Sequence, residues 1–314
     1  MKLPKSVNRV IVPPIKCQGI KTRLIPFILG NISWEGSGRW VEPFLGSGVV
    51  LFNVAPQYAL ISDVNPHIIA FYKALYDGSI TSGLVRRHLE QEGARLMEGG
   101  HRGKDSHYYT VRERFNESAD PLDFLFLSRA CFNGMIRFNG SGQFNVPFCR
   151  KPDRFRPAYV TKIVNQVDEI KKIMRGKNWE FRSVDWRTTL QGLEKADFVY
   201  LDPPYIGRHT DYYGRWTDDE AVDLAATAQD LPCGFALSMW KENRYRVNDH
   251  ISECWSSAVL RTQSHFYHVG PTEDLRNSVT EALLIKQGYA TGHPADLIRS
   301  RKDKQLAMPF FQPE

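Results

Sequence analysis

Six short runs of apolar, β-branched and aromatic residues punctuate the chain: "RWVEPF", "YALISD", "NWEFRS", "DFVYLD", "GFALSMW" and "EALLIK". Each has the length and composition of a strand. Between several of them the hydrophobic period lengthens to that of a helix. "NPHIIAFYKALYDG" carries Ile68, Ile69, Tyr72, Leu75 and Tyr76 at near-helical spacing and meets a stop at Gly78. "AYVTKIVNQVDEIKKIMRGK" sets Ile163, Val167, Ile170 and Ile173 on one face. Strands that alternate with helices predict an α/β fold on a mostly parallel sheet.

From about residue 80 to residue 157 that rhythm breaks. Helical, charged segments lead into "SRACFNGMIRFNGSGQFNVPFCRKPDRFRP", which holds six basic residues against a single acid, Asp153. Phenylalanines and asparagines alternate with the basic residues, and Gly140 and Gly142 loosen the loop. The pattern predicts a discontinuous domain over residues 1–78 and 158–290, a mainly helical insertion over 79–157 and a tail over 291–314.

Composition narrows the field modestly. The chain has 314 residues, 42% hydrophobic and 24% charged, as expected of a soluble protein with one large domain and an insertion. A net charge of +6 suits a polyanionic partner without selecting one. Five scattered cysteines, none spaced Cys-x-x-Cys, predict reduced thiols rather than a disulfide framework. The histidines show no metal-ligand spacing, so no metal is expected, and His265 and His268 are read as packing or surface residues of a strand. No run approaches the ~18 apolar residues of a membrane span, and no basic-then-apolar leader opens the chain. A cytoplasmic protein without a membrane partner is expected.

Two motifs carry candidate chemistry. In "VEPFLGSGVVLFN" a strand runs into Gly-x-Gly and a helix, and Asp63 closes the next strand. Glycines let a ligand approach the backbone, and an acid at that strand end can accept hydrogen bonds from ribose hydroxyls. Alone, Gly-x-Gly is equally a plain strand-to-helix turn. The pattern is neither Gly-x-Gly-x-x-Gly nor a phosphate-cradling loop, so a nucleoside without pyrophosphate, such as S-adenosylmethionine, fits better than NAD or ATP. In "YLDPPYIGRH" proline ends a buried strand and places Asp202 at its carboxyl end, where open α/β sheets bind ligands. The Asp202 carboxylate and the Pro203 carbonyl can accept from one amino group, while Tyr205 can stack on a planar base. Such acceptors favour attack by an exocyclic amine and stabilise the charge it develops. "RHTDYYGRW" beyond it is either a loop closing over a phosphate backbone, with Arg208 and His209 near it, or plain surface.

The order of "PPIKCQGIK", "VEPFLGSG", "SDVNPHII", "CFNGMIRFNGSGQFNVPF" and "DPPY" resembles that of Dam-type, D12 class DNA adenine-N6 methyltransferases. Within them the likeness is greatest to the EcoRV-type modification methylases, through "FNVAP", "RERFN", "PLDFLFL", "NGMIRFN" and "DPPYIGRH", and it covers roughly residues 10 to 287. The resemblance implies a Rossmann-like sheet that binds S-adenosylmethionine, and an inserted target-recognition domain. It implies direct methyl transfer to N6 of a flipped adenine in duplex DNA, at a short GAT-containing palindrome such as GATATC. It assigns Asp202, Pro203, Pro204 and Tyr205 to catalysis. Lys21, Pro43, Phe44, Gly46, Ser47, Gly48, Asp63 and Asp185, with Asp202, would bind the cofactor. Lys16, Arg129, Phe132, Asn133, Met135, Arg137, Asn139, Asn145, Pro147 and Arg208 would bind DNA, with Phe132 as the wedge in the base stack. It implies a monomer, acting either beside a separate cognate restriction endonuclease or as a solitary or phage methylase. "CQGIK" departs from the Trp-Ala-Gly-Gly-Lys of Dam, and Cys17 cannot stack as tryptophan does. Asp-Pro-Pro-Tyr also occurs in ribosomal RNA methylases without the insertion, so an RNA amino methyltransferase stands as an alternative, as does a catalytically silent DNA-binding protein.

Overall fold

Why the buried runs become strands is visible in their partners. A computed structural model describes residues 9–98, 106–205, 216–243, 246–266 and 278–292 of the chain. The side chain of His265, together with His268, Arg208, His209 and the tail from residue 293, lies outside them. The strands are β1 (Trp40–Glu42), β2 (Tyr58–Ser62), β3 (Asn178–Arg182), β4 (Phe198–Leu201), β5 (Gly234–Asn243), β6 (Val259–Phe266) and β7 (Ser278–Ile285). They form one sheet in the order β3-β2-β1-β4-β5-β7-β6. β3, β2, β1, β4 and β5 pair in parallel, and β7 runs antiparallel between β5 and β6. The central strands β1 and β4 are buried along their whole length, as parallel strands covered on both faces must be.

The helices are α1 (Ile25–Asn31), α2 (Val49–Val54), α3 (Pro66–Tyr76), α4 (Ser82–Glu98), α5 (His107–Ser118), α6 (Pro121–Ala130), α7 (Pro157–Met174), α8 (Trp186–Thr189), α9 (Asp218–Asp230) and α10 (His250–Cys254). Local chemistry starts several of them. Asn65 caps α3 by accepting from the His67 amide, with Pro66 at the first helical position. Asp120 caps α6 through the Leu122 and Asp123 amides. In α7 the predicted stripe is buried at Ile163, Val167 and Ile170, while Ile173 is only partly so.

The period of two splits the strands between two cores. Trp40, Ala59, Ile61, Phe198, Tyr200 and Leu283 face a large core shared with α1 to α7. Val41, Leu60, Val199, Leu201, Phe235 and Leu284 face a smaller one closed by α8, α9 and α10. The order of strands reverses between β1 and β4, so the loops leaving their carboxyl ends diverge and open a cleft there. The sequence pattern anticipates six of these strands and reaches only the end of the seventh, β6.

Candidate active site

A cavity of about 500 Å³ occupies the cleft. Its walls come from the segment before α1, the β1–α2 loop, the end of β2, the β3–α8 loop and the turn after β4. Lys21, Phe44, Gly46, Ser47, Asp63, Asp185, Asp202, Pro203, Pro204 and Tyr205 all line it. Two of the expected cofactor residues do not: Pro43 is buried beside the cavity, and Gly48 caps α2 in the left-handed region, at φ 72°. Both belong to the β1–α2 loop that forms the cavity wall.

The β1–α2 loop is built around Asp63. One carboxylate oxygen accepts from the Gly46 amide at 2.8 Å and the other from the Asn65 amide at 2.9 Å. Burial pushes the Asp63 carboxyl up to about 6, against the pull of those two amides. Gly46 lines the cavity at φ +50°, and a Cβ there would meet nothing within 4 Å. From beneath, the Tyr72 hydroxyl of α3 donates to the Ser47 carbonyl at 2.5 Å. Asp185 caps α8 through the Thr188 amide at 2.8 Å, and this bond holds its carboxyl below the usual range. The rim is closed by Phe44 and Trp216, whose rings meet edge to face at 5.6 Å.

The turn after β4 carries the second half. Asp202 accepts from the Lys21 ammonium at 2.8 and 3.0 Å through its two oxygens. Lys21 is almost fully buried and also donates to the Gly19 carbonyl at 3.2 Å. Burial works against its charge, but Asp202, then Tyr205 and Glu281, hold the ammonium well above its ordinary range. Burial likewise raises Asp202, and Lys21 pulls it back. The Lys21 nitrogen stands 4.8 Å from the centre of the Tyr205 ring.

Several residues in or beside the cavity have no role in the sequence reading. Glu42, at the end of β1, accepts from the Trp40 indole at 2.7 Å, and burial pushes its carboxyl up to about 8. Trp186 and Arg187 of α8 bind Glu220 of α9 across the rim at 3.2 Å each. Glu281 of β7 accepts from the Tyr205 hydroxyl at 2.8 Å. The signal available for Glu42 and Glu281 is an acid inside a run otherwise fit for a buried strand.

The basic middle folds as a looped platform after α6. Phe132 stands exposed at 49%, followed by Asn133 in the left-handed region at φ 52°. Asn139 ties a tight turn by accepting from the Ser141 and Gln143 amides, and Arg137 donates to the Asn145 side chain at 2.8 Å. Pro147 is exposed and its carbonyl accepts from the Phe132 amide. Met135 packs partly against the large core. Lys16 runs beneath Gly134, where a Cβ would lie 2.8 Å from its Cγ. Arg129 differs from the expectation of a DNA contact. Its guanidinium points inward, donating to the Pro14 carbonyl and the Gln166 side chain at 2.6 Å each. Burial lowers it to about 10, so its geometry is that of a tie between the first segment and α7. Among the described residues no group of three His, Cys, Asp or Glu side chains could hold a metal ion, and no helix is long and apolar enough to cross a membrane.

Residues 18–269 match the family described as D12 class N6 adenine-specific DNA methyltransferase. Type II methyltransferase M.MjaIII of Methanocaldococcus jannaschii is 29% identical over 265 residues, 76% of this chain and 86% of its own length. The retron Ec67 DNA adenine methylase of Escherichia coli is 30% identical over 223 residues, 68% of this chain and 71% of its own. The DNA adenine methylase of Escherichia coli K12 is 29% identical over 203 residues, 61% of this chain and 66% of its own.

Proposed function

We propose that this chain, which belongs to the D12 class of N6 adenine-specific DNA methyltransferases, moves a methyl group from S-adenosylmethionine to N6 of an adenine flipped out of a short duplex site. The reaction is that of a site-specific adenine DNA methyltransferase, EC 2.1.1.72. The observation that carries the reading is the pairing, in one cavity, of an acid-and-glycine pocket with a buried Asp202 beside Tyr205.

The pocket suits the cofactor. Asp63 offers a carboxylate to ribose hydroxyls, Gly46 leaves the room a side chain would fill, and Phe44 and Trp216 offer apolar walls. Bound there, S-adenosylmethionine supplies an electrophilic methyl carbon and becomes S-adenosylhomocysteine. The residues of the turn after β4 do the rest. A carboxylate has about four lone-pair directions, so Asp202 can accept an adenine N–H while still holding Lys21. The Pro203 carbonyl accepts the second N–H. Together they draw the N6 lone pair out of the ring and stabilise the charge that grows as the N–C bond forms. Asp202 is the nearest base for the proton that then leaves. Tyr205 supplies a stacking face for the extruded base.

On the DNA side we assign residues 79–157 to target recognition and residues 1–78 with 158–290 to catalysis. Phe132, exposed just after α6, is the wedge that fills the space a flipped base vacates. Lys16, Asn133, Arg137, Asn139, Asn145 and Pro147 form the surface around it, Met135 supports them from below, and a GAT-containing palindrome such as GATATC is the proposed site. The same reading makes the chain a monomer that meets DNA in the cytoplasm, as a solitary enzyme or the counterpart of a separate restriction endonuclease.

Unmethylated plasmid incubated with the protein and S-adenosylmethionine, then read by single-molecule sequencing, tests this. The expected product is N6-methyladenine confined to one short motif. Methylated adenines without a motif would remove the role given to residues 79–157. Unmodified plasmid after incubation with a cofactor-binding protein would remove the function itself.

A further inference from the structure

A strand buried on both faces has little room for a carboxylate. β7 nevertheless holds Glu281 at 1% exposure, on the same side as Leu283 and Ile285 of the large core. Its register partner on β5 is Trp240. The ladder between β4 and β5 stops at Leu201 and Leu237, because Pro203 and Pro204 end β4. β5 runs on, so Tyr205 leaves the sheet alongside it. The hydrogen bond from the Tyr205 hydroxyl to Glu281, 2.8 Å long, reaches past β5 to the strand beyond.

That bond matters because Tyr205 has open space around it. It lines the 500 Å³ cavity. It also lines a second space of about 20 Å³, shared with Pro204, Trp216 and Trp240. The χ2 torsion of tyrosine is soft, so an untethered ring beside an empty space can turn or lean. The Glu281 carboxyl oxygen, 2.8 Å from the hydroxyl, ties the ring in place. Glu281 also lies outside residues 18–269.

We propose that Glu281 is a positioning residue for methyl transfer: it fixes the plane of the Tyr205 ring and with it the plane of the base stacked there. This rests on the site being an adenine-N6 methyltransferase centre. The stacked base must present N6 in line with the methyl carbon, and small misplacements of reacting atoms are costly to rate.

The test is a double-mutant cycle, read as incorporation of labelled methyl groups into unmethylated phage lambda DNA. Glu281→Ala is expected to lower kcat ~10-fold or more while the KM for S-adenosylmethionine stays within about twofold. Tyr205→Phe removes the other end of the same bond and is expected to match it. Adding Glu281→Ala to Tyr205→Phe should then cost much less than Glu281→Ala costs alone, because the contact the two residues share is already broken. Glu281→Gln keeps an acceptor and should restore the wild-type rate, which a purely electrostatic role would not allow. Losses that multiply in the double variant, or a Gln variant as slow as Ala, overturn the proposal. Should Glu281→Ala fail to fold, the other two single variants decide it, since a Tyr205→Phe enzyme at wild-type rate leaves no tether to explain. A wild-type protein that methylates no adenine removes the reading of the site and this role with it, whereas an active wild type with independent losses removes the role alone.

Discussion

Lys21 and Asp202 form a pair in which each partner makes the other tolerable. Lys21 is 4% exposed, and a buried ammonium without its counter-charge is expensive. Asp202→Ala therefore has two consequences that arise differently. Methyl transfer is lost because the acceptor is gone, and stability falls by roughly 3–5 kcal/mol because the buried Lys21 ammonium loses its nearest counter-charge. Replacing Lys21 by methionine in the same chain is expected to restore most of the stability and none of the activity. Thermal unfolding and methyl incorporation on the three variants check this. A double variant as unstable as Asp202→Ala would show that Lys21 is satisfied by other partners.

Among the elements, the β1–α2 loop is the one on which cofactor affinity turns in the proposed reading. Gly46→Ala forces a side chain into left-handed backbone, at a cost of about 1–2 kcal/mol, and also pushes a methyl group into the cavity. Gly78, at φ +87° and also with nothing near a Cβ, supplies the control. Both alanine variants should lose stability, but Gly46→Ala alone should lose affinity for S-adenosylmethionine, by ~10-fold or more in calorimetric titration. Equal affinities would mean that the loop is not part of the pocket. Much of this element was legible in the sequence, since a Gly-x-Gly turn followed by an acid at the next strand end is a local pattern. The buried runs of β1, β4 and β5 were legible for the same reason. β6 was not, because Arg261, Thr262 and Gln263 in its middle give an outer strand no apolar run to announce it. Glu281 was hidden for a different reason, since what gives it meaning is Tyr205, 76 positions away in sequence.

The whole molecule is held by a core that ignores the division into sheet and insertion. Phe71 of α3, Leu89 of α4, Phe115 of α5, Phe124 of α6 and Val160 of α7 share one buried cluster with Trp40 and Phe198 of the sheet. His67, in the first turn of α3, stacks on Phe138 of the loop at 5.0 Å and meets Phe115 edge-on at 4.8 Å. Parts joined by so much shared apolar surface should melt together. A single calorimetric transition is expected, with the van't Hoff and measured enthalpies in agreement. Two resolved transitions would mean that the insertion folds as a unit of its own. The sheet adds a constraint of timing. β1 waits for β4, some 158 residues later, to gain its second neighbour. Lys21 waits 181 residues for Asp202. β7, among the last described segments, must slide between β5 and β6 before Tyr205 finds Glu281. On the ribosome, then, Lys21 emerges long before Asp202, and Glu281 later still. No nascent fragment that stops short of β7 can hold the Tyr205–Glu281 contact, so on the proposed reading the centre is finished only once β7 has joined the sheet.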